Sequence, residues 1–145
     1  MTLLAAVHTA TPAPPAAHVL ALVVAANGRV DPKEIEVLDR LAAFQRLGIG
    51  RDDFLALAAQ CVQALDNGQV DRSWLKPQAL AQLFSVVDAV TSPQQRLLVC
   101  RLAAAVMTAD GAICATERRV YRHALLRWGI TDDQVSHAIL HDRQG

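Results

Sequence analysis

Apolar residues in this chain recur at spacings of three and four, the period of helices that bury one face. The pattern predicts seven helices, at about residues 16–26, 32–47, 51–65, 78–90, 93–109, 115–127 and 132–141. The first and fifth of these are apolar almost all round, as expected of helices at the centre of a domain. No segment keeps the two-residue alternation of a strand. The predicted fold class is therefore all-α, a compact bundle of about seven helices.

The two central helices each run into a short turn, and the sequence around this turn is repeated. Residues 23–40, VVAANGRVDPKEIEVLDR, match residues 106–127, VMTADGAICATERRVYRHALLR. The matched positions are Asn27-Gly28 with Asp110-Gly111, and Glu34 with Glu117. Each copy then closes on a bulky residue, a glycine and an isoleucine, at 47–49 and 128–130. The repeat predicts two pseudo-repeated halves, with the two central helices packed side by side.

One interpretation of the repeated turn is purely structural. Gly28 and Gly111 supply a positive φ that most residues avoid, and Asn27 also suits such a turn. Asp31 is an N-cap, followed by proline at the first helical position. Glu34 and Glu117 then complete the caps of the helices that follow.

A second interpretation is that the turns bind a divalent cation. A glycine, an aliphatic residue two positions later and a glutamate four positions after that match the second half of an EF-hand loop. The first ligand position of such a loop falls on Val106 in one copy and on Val23 in the other. Neither side chain carries an oxygen, so the EF-hand is excluded.

Length and charge limit the classes of function. The 145 residues suffice for one domain, which we place at 16–145 after an apolar, proline-rich arm at 1–15. Lys plus Arg and Asp plus Glu number 14 each, so no net field favours nucleic acid or an anionic membrane. No apolar stretch approaches the roughly 20 residues of a membrane span. We expect no nucleic-acid partner and no direct membrane insertion.

The reactive side chains give little support to catalysis. Cys61, Cys100 and Cys114 are odd in number and lack CxxC spacing, which favours a reducing, cytoplasmic compartment. We expect Cys61 and Cys100 to be buried, and nothing in the pattern activates a nucleophile. His137 and His141 lie four residues apart, the spacing of a zinc-binding pair, although a solvated helix face is the competing interpretation. We predict that the protein is not an enzyme.

The helix predicted at 115–127 is locally basic. Its positive side chains are Arg118, Arg119, Arg122 and Arg127, with His123 among them. Such a run is more typical of a solvated outer face than of a nucleic-acid surface.

The doubled pattern as a whole resembles the tellurite-resistance TerB family: a helix ending in Ala-Asp-Gly, an aliphatic residue, and a helix led by Glu. The resemblance covers about residues 17–138. It implies an all-helical bundle of two related halves, a role in resistance to tellurite and other chemical stress, and surface carboxylates that bind divalent metal. The carboxylates at matching positions are Asp110, Glu117, Asp31 and Glu34. The chain departs from the family where Asn27 replaces the usual Asp and Cys114 replaces the usual Asp or Ser.

Two functions remain. The first is a non-enzymatic protein-interaction module of a stress response, which binds a protein partner or another copy of itself. The alternative is a weak sensor or buffer of a divalent cation (Ca²⁺, Mg²⁺ or Mn²⁺) with millimolar affinity. In such a site we expect Asp110, Asp31 and Glu34 to contribute more than Glu117, because Glu117 has only Cys114 to share its capping role.

Overall fold

The computed structural model describes residues 14–26, 30–68, 77–109 and 115–137. Within these ranges the chain forms helices joined by short connections, without a strand. The helices are α1 (Pro15–Ala25), α2 (Pro32–Arg40), α3 (Ala43–Leu47), α4 (Arg51–Gly68), α5 (Pro77–Asp88), α6 (Pro93–Met107) and α7 (Ala115–Trp128). Residues 132–137 are helical as well. The all-α prediction is confirmed.

Helix α1 is the centre of the bundle, and it packs against α4, α5, α6 and α7. Eight of its eleven residues are buried, and they cover about two thirds of the circumference of the helix. Several of them are alanines, whose small side chains let neighbouring helices approach closely. The contact between α1 and α6 confirms the prediction that the two central helices pack side by side.

The helices that follow the two repeated turns pack across the molecule. Helix α2 packs against α6, and helix α7 packs against α1 as well as α6. Each half therefore covers part of the central helix of the other half, and the buried residues form one continuous core. The superposition of the two halves stays a prediction.

A turn between α2 and α3 interrupts the helix predicted at 32–47, so that prediction is wrong in its extent. Helix α2 ends at Arg40, and Ala42 adopts the left-handed backbone conformation, with φ of 55° and ψ of 36°. This conformation is less favourable for alanine by about 1–2 kcal/mol. Tertiary packing has to outweigh that cost.

The packing reason is the direction in which the next apolar side chains point. In a continuous helix, the buried face that carries Ile35 and Leu38 would pass through positions 41, 42 and 45. The larger apolar residues of the second segment would then lie on the opposite, solvated face. The turn instead brings the apolar residues of the second segment into the core: Ala43, Phe44 and Leu47. Phe44 packs against Phe54 of α4, with ring centroids 5.2 Å apart.

Side-chain caps start α2, as predicted, and α6. Asp31 Oδ1 accepts a hydrogen bond from the Lys33 N–H at 2.9 Å. Ser92 Oγ accepts one from the Gln95 N–H at 3.3 Å. Proline follows each cap at the first helical position, as Pro32 and Pro93. The predicted turn residues Asn27, Gly28 and Gly111 lie outside the described residues, as does the arm over residues 1–13.

The matched Gly-Ile pairs end α3 and α7 in the same way. Gly48 and Gly129 are both left-handed, with φ of 77° and 69°. The N–H groups of Gly48 and Ile49 donate to the carbonyls of Gln45 and Phe44, and those of Gly129 and Ile130 donate to Leu126 and Leu125. This pair of hydrogen bonds is the Schellman arrangement, in which glycine satisfies the last carbonyls of a helix.

Candidate functional site

Three acidic side chains at the starts of α2 and α7 are buried, although the resemblance implied carboxylates on the surface. Asp31 precedes α2, and Glu34 and Glu117 are each the third residue of their helix. The exposed fractions of Asp31, Glu34 and Glu117 are 5%, 2% and 1%. The two glutamates therefore match in sequence position, in helix position and in burial.

The helix face on which each glutamate lies explains its burial. Glu34 adjoins Ile35 and precedes Leu38 by four residues, and both of these are buried. Glu117 precedes the buried Val120 by three residues, on the inner face of α7. Extending the apolar stripe of each helix back by one turn predicts this burial from sequence. The capping interpretation by itself did not predict that the two glutamates are buried.

A carboxylate at these positions experiences two opposing effects. Removal from water disfavours the charged form by several kcal/mol unless polar groups compensate. The first turn of a helix offers N–H groups and the positive end of its dipole, both of which favour a negative charge. Asp31, Glu34 and Glu117 each take part in at least one polar or electrostatic interaction. The two helix starts can therefore hold negative charge inside the protein, as both capping and cation binding require.

The structure covers the predicted cation ligands only in part. Asp110 and His141 lie outside the described residues, and His137 is exposed. Among the side chains that the structure describes, no group of three or more His, Cys, Asp or Glu is arranged to hold a metal ion. Asp31 uses its Oδ1 atom to cap α2. The cation site at the turns and the pairing of the two histidines both stay predictions.

The two described cysteines are free, buried thiols, as predicted. Burial raises the pKa of the Cys61 thiol to about 11. Burial, and then the negative charge of Asp132, raises the pKa of Cys100 to about 12. Both thiols are therefore protonated and poor nucleophiles at neutral pH. Cys114 lies outside the described residues.

The outer surface of α7 is basic and carries an exposed leucine. Arg118, Arg119, Arg122 and Leu126 lie within about 100° of arc around the helix, and we call this surface the arginine face. All four side chains are exposed, and Leu126 is 74% exposed. In the part of the chain that the structure describes, no salt bridge involves these three arginines.

Arg127, the fourth arginine of the basic run, has a different role. Its Nε and Nη2 donate to Asp88 Oδ1 and Oδ2 of α5, both at 2.8 Å. Its guanidinium carbon lies 4.5 Å from the centre of the Phe84 ring. The hydrogen bonds from Arg127 lower the pKa of Asp88 below its ordinary value. Arg127 therefore joins α7 to α5, a role that the basic run alone did not reveal.

Comparison with known protein families returned a match over most of the chain. The model of the family described as Tellurite resistance protein TerB matches residues 14–140. Searches of curated proteins and of solved structures returned no match. Within the described residues, no helix combines the length and the apolar character needed to pass through a membrane.

Proposed function

The chain belongs to the tellurite-resistance TerB family, and we propose that it is a non-enzymatic member that binds a protein partner in a stress response. The observation that carries the proposal is the arginine face. Three arginines outside any described salt bridge accompany Leu126, which is 74% exposed. Arginine is enriched at protein–protein interfaces, and a partner that covers an exposed leucine removes apolar surface from water.

Four described cysteine and aspartate side chains, of residue types that can take part in catalysis, are buried or engaged in structural contacts. Cys61 and Cys100 are buried, and burial raises the pKa of both thiols. Asp31 caps α2, and Asp88 accepts two hydrogen bonds from Arg127. These roles support a binding function rather than a chemical one.

Site-specific photo-crosslinking in living cells tests the proposal. A photoreactive phenylalanine analogue replaces Leu126, and in a matched control it replaces Ala56, which is exposed on α4. We expect a discrete crosslinked protein from position 126 and no such product from position 56. The product from position 126 should disappear when Arg118 and Arg122 are both changed to Glu. Equal crosslinking at the two positions, or none at position 126, contradicts the proposal. A crosslink to a second copy identifies self-association.

A second candidate function is weak binding of a divalent cation at the turns. The observation that favours it is the equal burial of Glu34 and Glu117 at the same position of two helices. Carboxylate oxygens are the ligands that Ca²⁺, Mg²⁺ and Mn²⁺ prefer. Asp110, Asp31 and Glu34 would supply them, with Glu117 in a secondary role. A bound cation would neutralise buried negative charge, and a site with few carboxylates implies millimolar affinity.

Titration calorimetry with Ca²⁺, Mg²⁺, Mn²⁺ and Zn²⁺ measures this binding, and thermal unfolding measures its effect on stability. With a dissociation constant of about 1 mM, about 10 mM cation should raise the unfolding free energy by about 1.4 kcal/mol. Glu34→Gln should remove much of this gain and Glu117→Gln a smaller part of it, whereas Glu36→Gln, at an exposed position of α2, should leave it unchanged. Binding that survives both glutamine changes contradicts the assignment. If Zn²⁺ binds and this binding requires His137 and His141, the metal site is the histidine pair.

A further inference from the structure

The arginine face has the chemistry of a site for carboxylates. A guanidinium group binds a carboxylate through two parallel hydrogen bonds. Arg127 already makes this pair with Asp88 inside the chain, with both bonds at 2.8 Å. Arg118 and Arg122 lie one helical turn, or about 6 Å, apart on the exposed surface. Leu126 continues the same row by one further turn.

We infer that the arginine face binds a short acidic segment of a partner protein, whose carboxylates pair with the arginines and whose apolar residue covers Leu126. This rests on the proposed function and specifies the chemistry of its partner. No described salt bridge uses Arg118, Arg119 or Arg122, so their guanidinium groups can pair with carboxylates of another molecule. The face from position 118 to 126 is about 12 Å long, so two or three helical turns of a partner would cover it.

Charge distribution and size favour an acidic protein segment over other polyanions. Lys plus Arg and Asp plus Glu are equal, at 14 each, so the chain lacks the broad positive field that binds nucleic acid or anionic lipid. The four side chains of the arginine face include no aromatic ring on which a base could stack. One leucine is a small apolar area for binding to a bilayer, but it suffices as the apolar anchor of a peptide contact.

Fluorescence anisotropy of a labelled synthetic peptide, measured with the full chain, tests the inference. The peptide is a helix-forming sequence of about 15 residues, with glutamates at i and i+4 and leucine at i+8, a spacing that follows the helix period. A matched peptide carries Gln in place of each Glu. We expect binding of the Glu peptide and at least about tenfold weaker binding of the Gln peptide. Added salt should weaken the binding, because the Debye length falls from about 10 Å at 0.1 M to about 3 Å at 1 M.

Variants of the chain separate this contact from effects on folding. Changing both Arg118 and Arg122 to Glu should weaken binding of the Glu peptide at least about tenfold, and should create binding of a peptide with Lys in place of Glu. A reversed charge preference cannot arise from unfolding. Leu126→Ser should weaken binding by about tenfold. Arg40→Glu reverses an exposed charge on α2 and should leave the affinity unchanged.

Several results would overturn the inference. One is equal affinity for the Glu and Gln peptides, and another is unchanged affinity after the double arginine reversal. The chain could also bind anionic vesicles or duplex DNA more tightly than the Glu peptide. If the double arginine reversal abolishes that binding, the arginine face is assigned to lipid or nucleic acid. If the chain self-associates and the double arginine reversal abolishes this self-association, the arginine face binds a second copy of the chain. If position 126 crosslinks to another protein but the Glu peptide does not bind, the proposed function stands and the acidic partner is refuted.

Discussion

Replacing Ala42 by glycine tests the turn between α2 and α3. Ala42 is exposed, and its φ of 55° lies in the left-handed region that glycine adopts readily. Because the substitution removes only an exposed methyl group, the conformational preference of the backbone dominates its effect. The turn at this position is also the main feature of the fold that the sequence pattern predicted incorrectly.

The expected effect is a small gain in stability. The left-handed conformation disfavours an L-residue by about 1–2 kcal/mol, and glycine avoids this cost. Glycine also raises the conformational entropy of the unfolded chain, which offsets about 0.4–1 kcal/mol of the gain. Ala42→Gly should therefore raise the unfolding free energy by about 0.5–1 kcal/mol. For a domain of 145 residues, this corresponds to an increase in Tm of about 2–4 °C.

Urea denaturation followed by circular dichroism, together with thermal unfolding, measures the change. Gly48→Ala and Gly129→Ala are matched controls, because both glycines have a left-handed φ, 77° and 69°. A Cβ added at either glycine would meet no atom within 4 Å, so sterics outside the backbone do not contribute. Both controls should lose about 0.5–1 kcal/mol. One methyl group should thus have opposite effects when added at a left-handed glycine and when removed at Ala42.

The sign of the Ala42→Gly effect decides between a turn and a continuous helix. Within a continuous helix at 32–47, glycine would destabilise the protein by about 1 kcal/mol relative to alanine. A loss of that size, with both glycine controls losing stability as expected, would refute the left-handed conformation at Ala42. The single helix predicted from the sequence would then be correct.

Two further predictions concern the buried Trp128 and the half-buried His18. Trp128→Phe should lower the unfolding free energy by about 1–3 kcal/mol in urea denaturation, because it removes the hydrogen bond from the indole Nε1–H to the Val87 carbonyl at 3.0 Å. An unchanged midpoint would show that this bond does not stabilise the fold. Burial lowers the pKa of His18 below its ordinary 6.5, so the unfolded chain binds the proton more readily and stability should fall as the pH drops below 6.5. His18→Gln should flatten this dependence between about pH 7.5 and 5.5, and identical pH profiles would contradict the role of His18.

The sequence by itself determined the helix ends that depend on local chemistry. Asp31 and Ser92 cap their helices, because a side-chain oxygen reaches an N–H group within the same turn whatever the rest of the chain does. Gly48 and Gly129 end α3 and α7 in matching conformations, because glycine alone adopts a positive φ without a steric penalty. The all-round apolar character of residues 16–26 was likewise enough to predict a central helix.

The candidate site could be predicted in its residues but not in its environment. The repeat identified Glu34 and Glu117 as equivalent positions, and both are the third residue of a helix. The apolar stripe of each helix indicates that both positions are buried, but not which element covers them. The repeat did not specify that α2 packs against α6 and α7 against α1. The basic run in α7 was also evident from the sequence. The partner of Arg127 was not, because Asp88 lies 39 residues away along the chain.

Only the tertiary structure decided the turn at Ala42 and the division of the basic run. Phe44 enters the core beside Phe54 only when the chain adopts a left-handed conformation at Ala42. The periodicity of one helix shows which residues share a face, but not which element covers that face. The same periodicity cannot show whether burying the next segment outweighs about 1–2 kcal/mol of backbone strain. Contacts between elements far apart in the chain decide both questions, because the burial energy comes from surfaces that meet only in the folded protein.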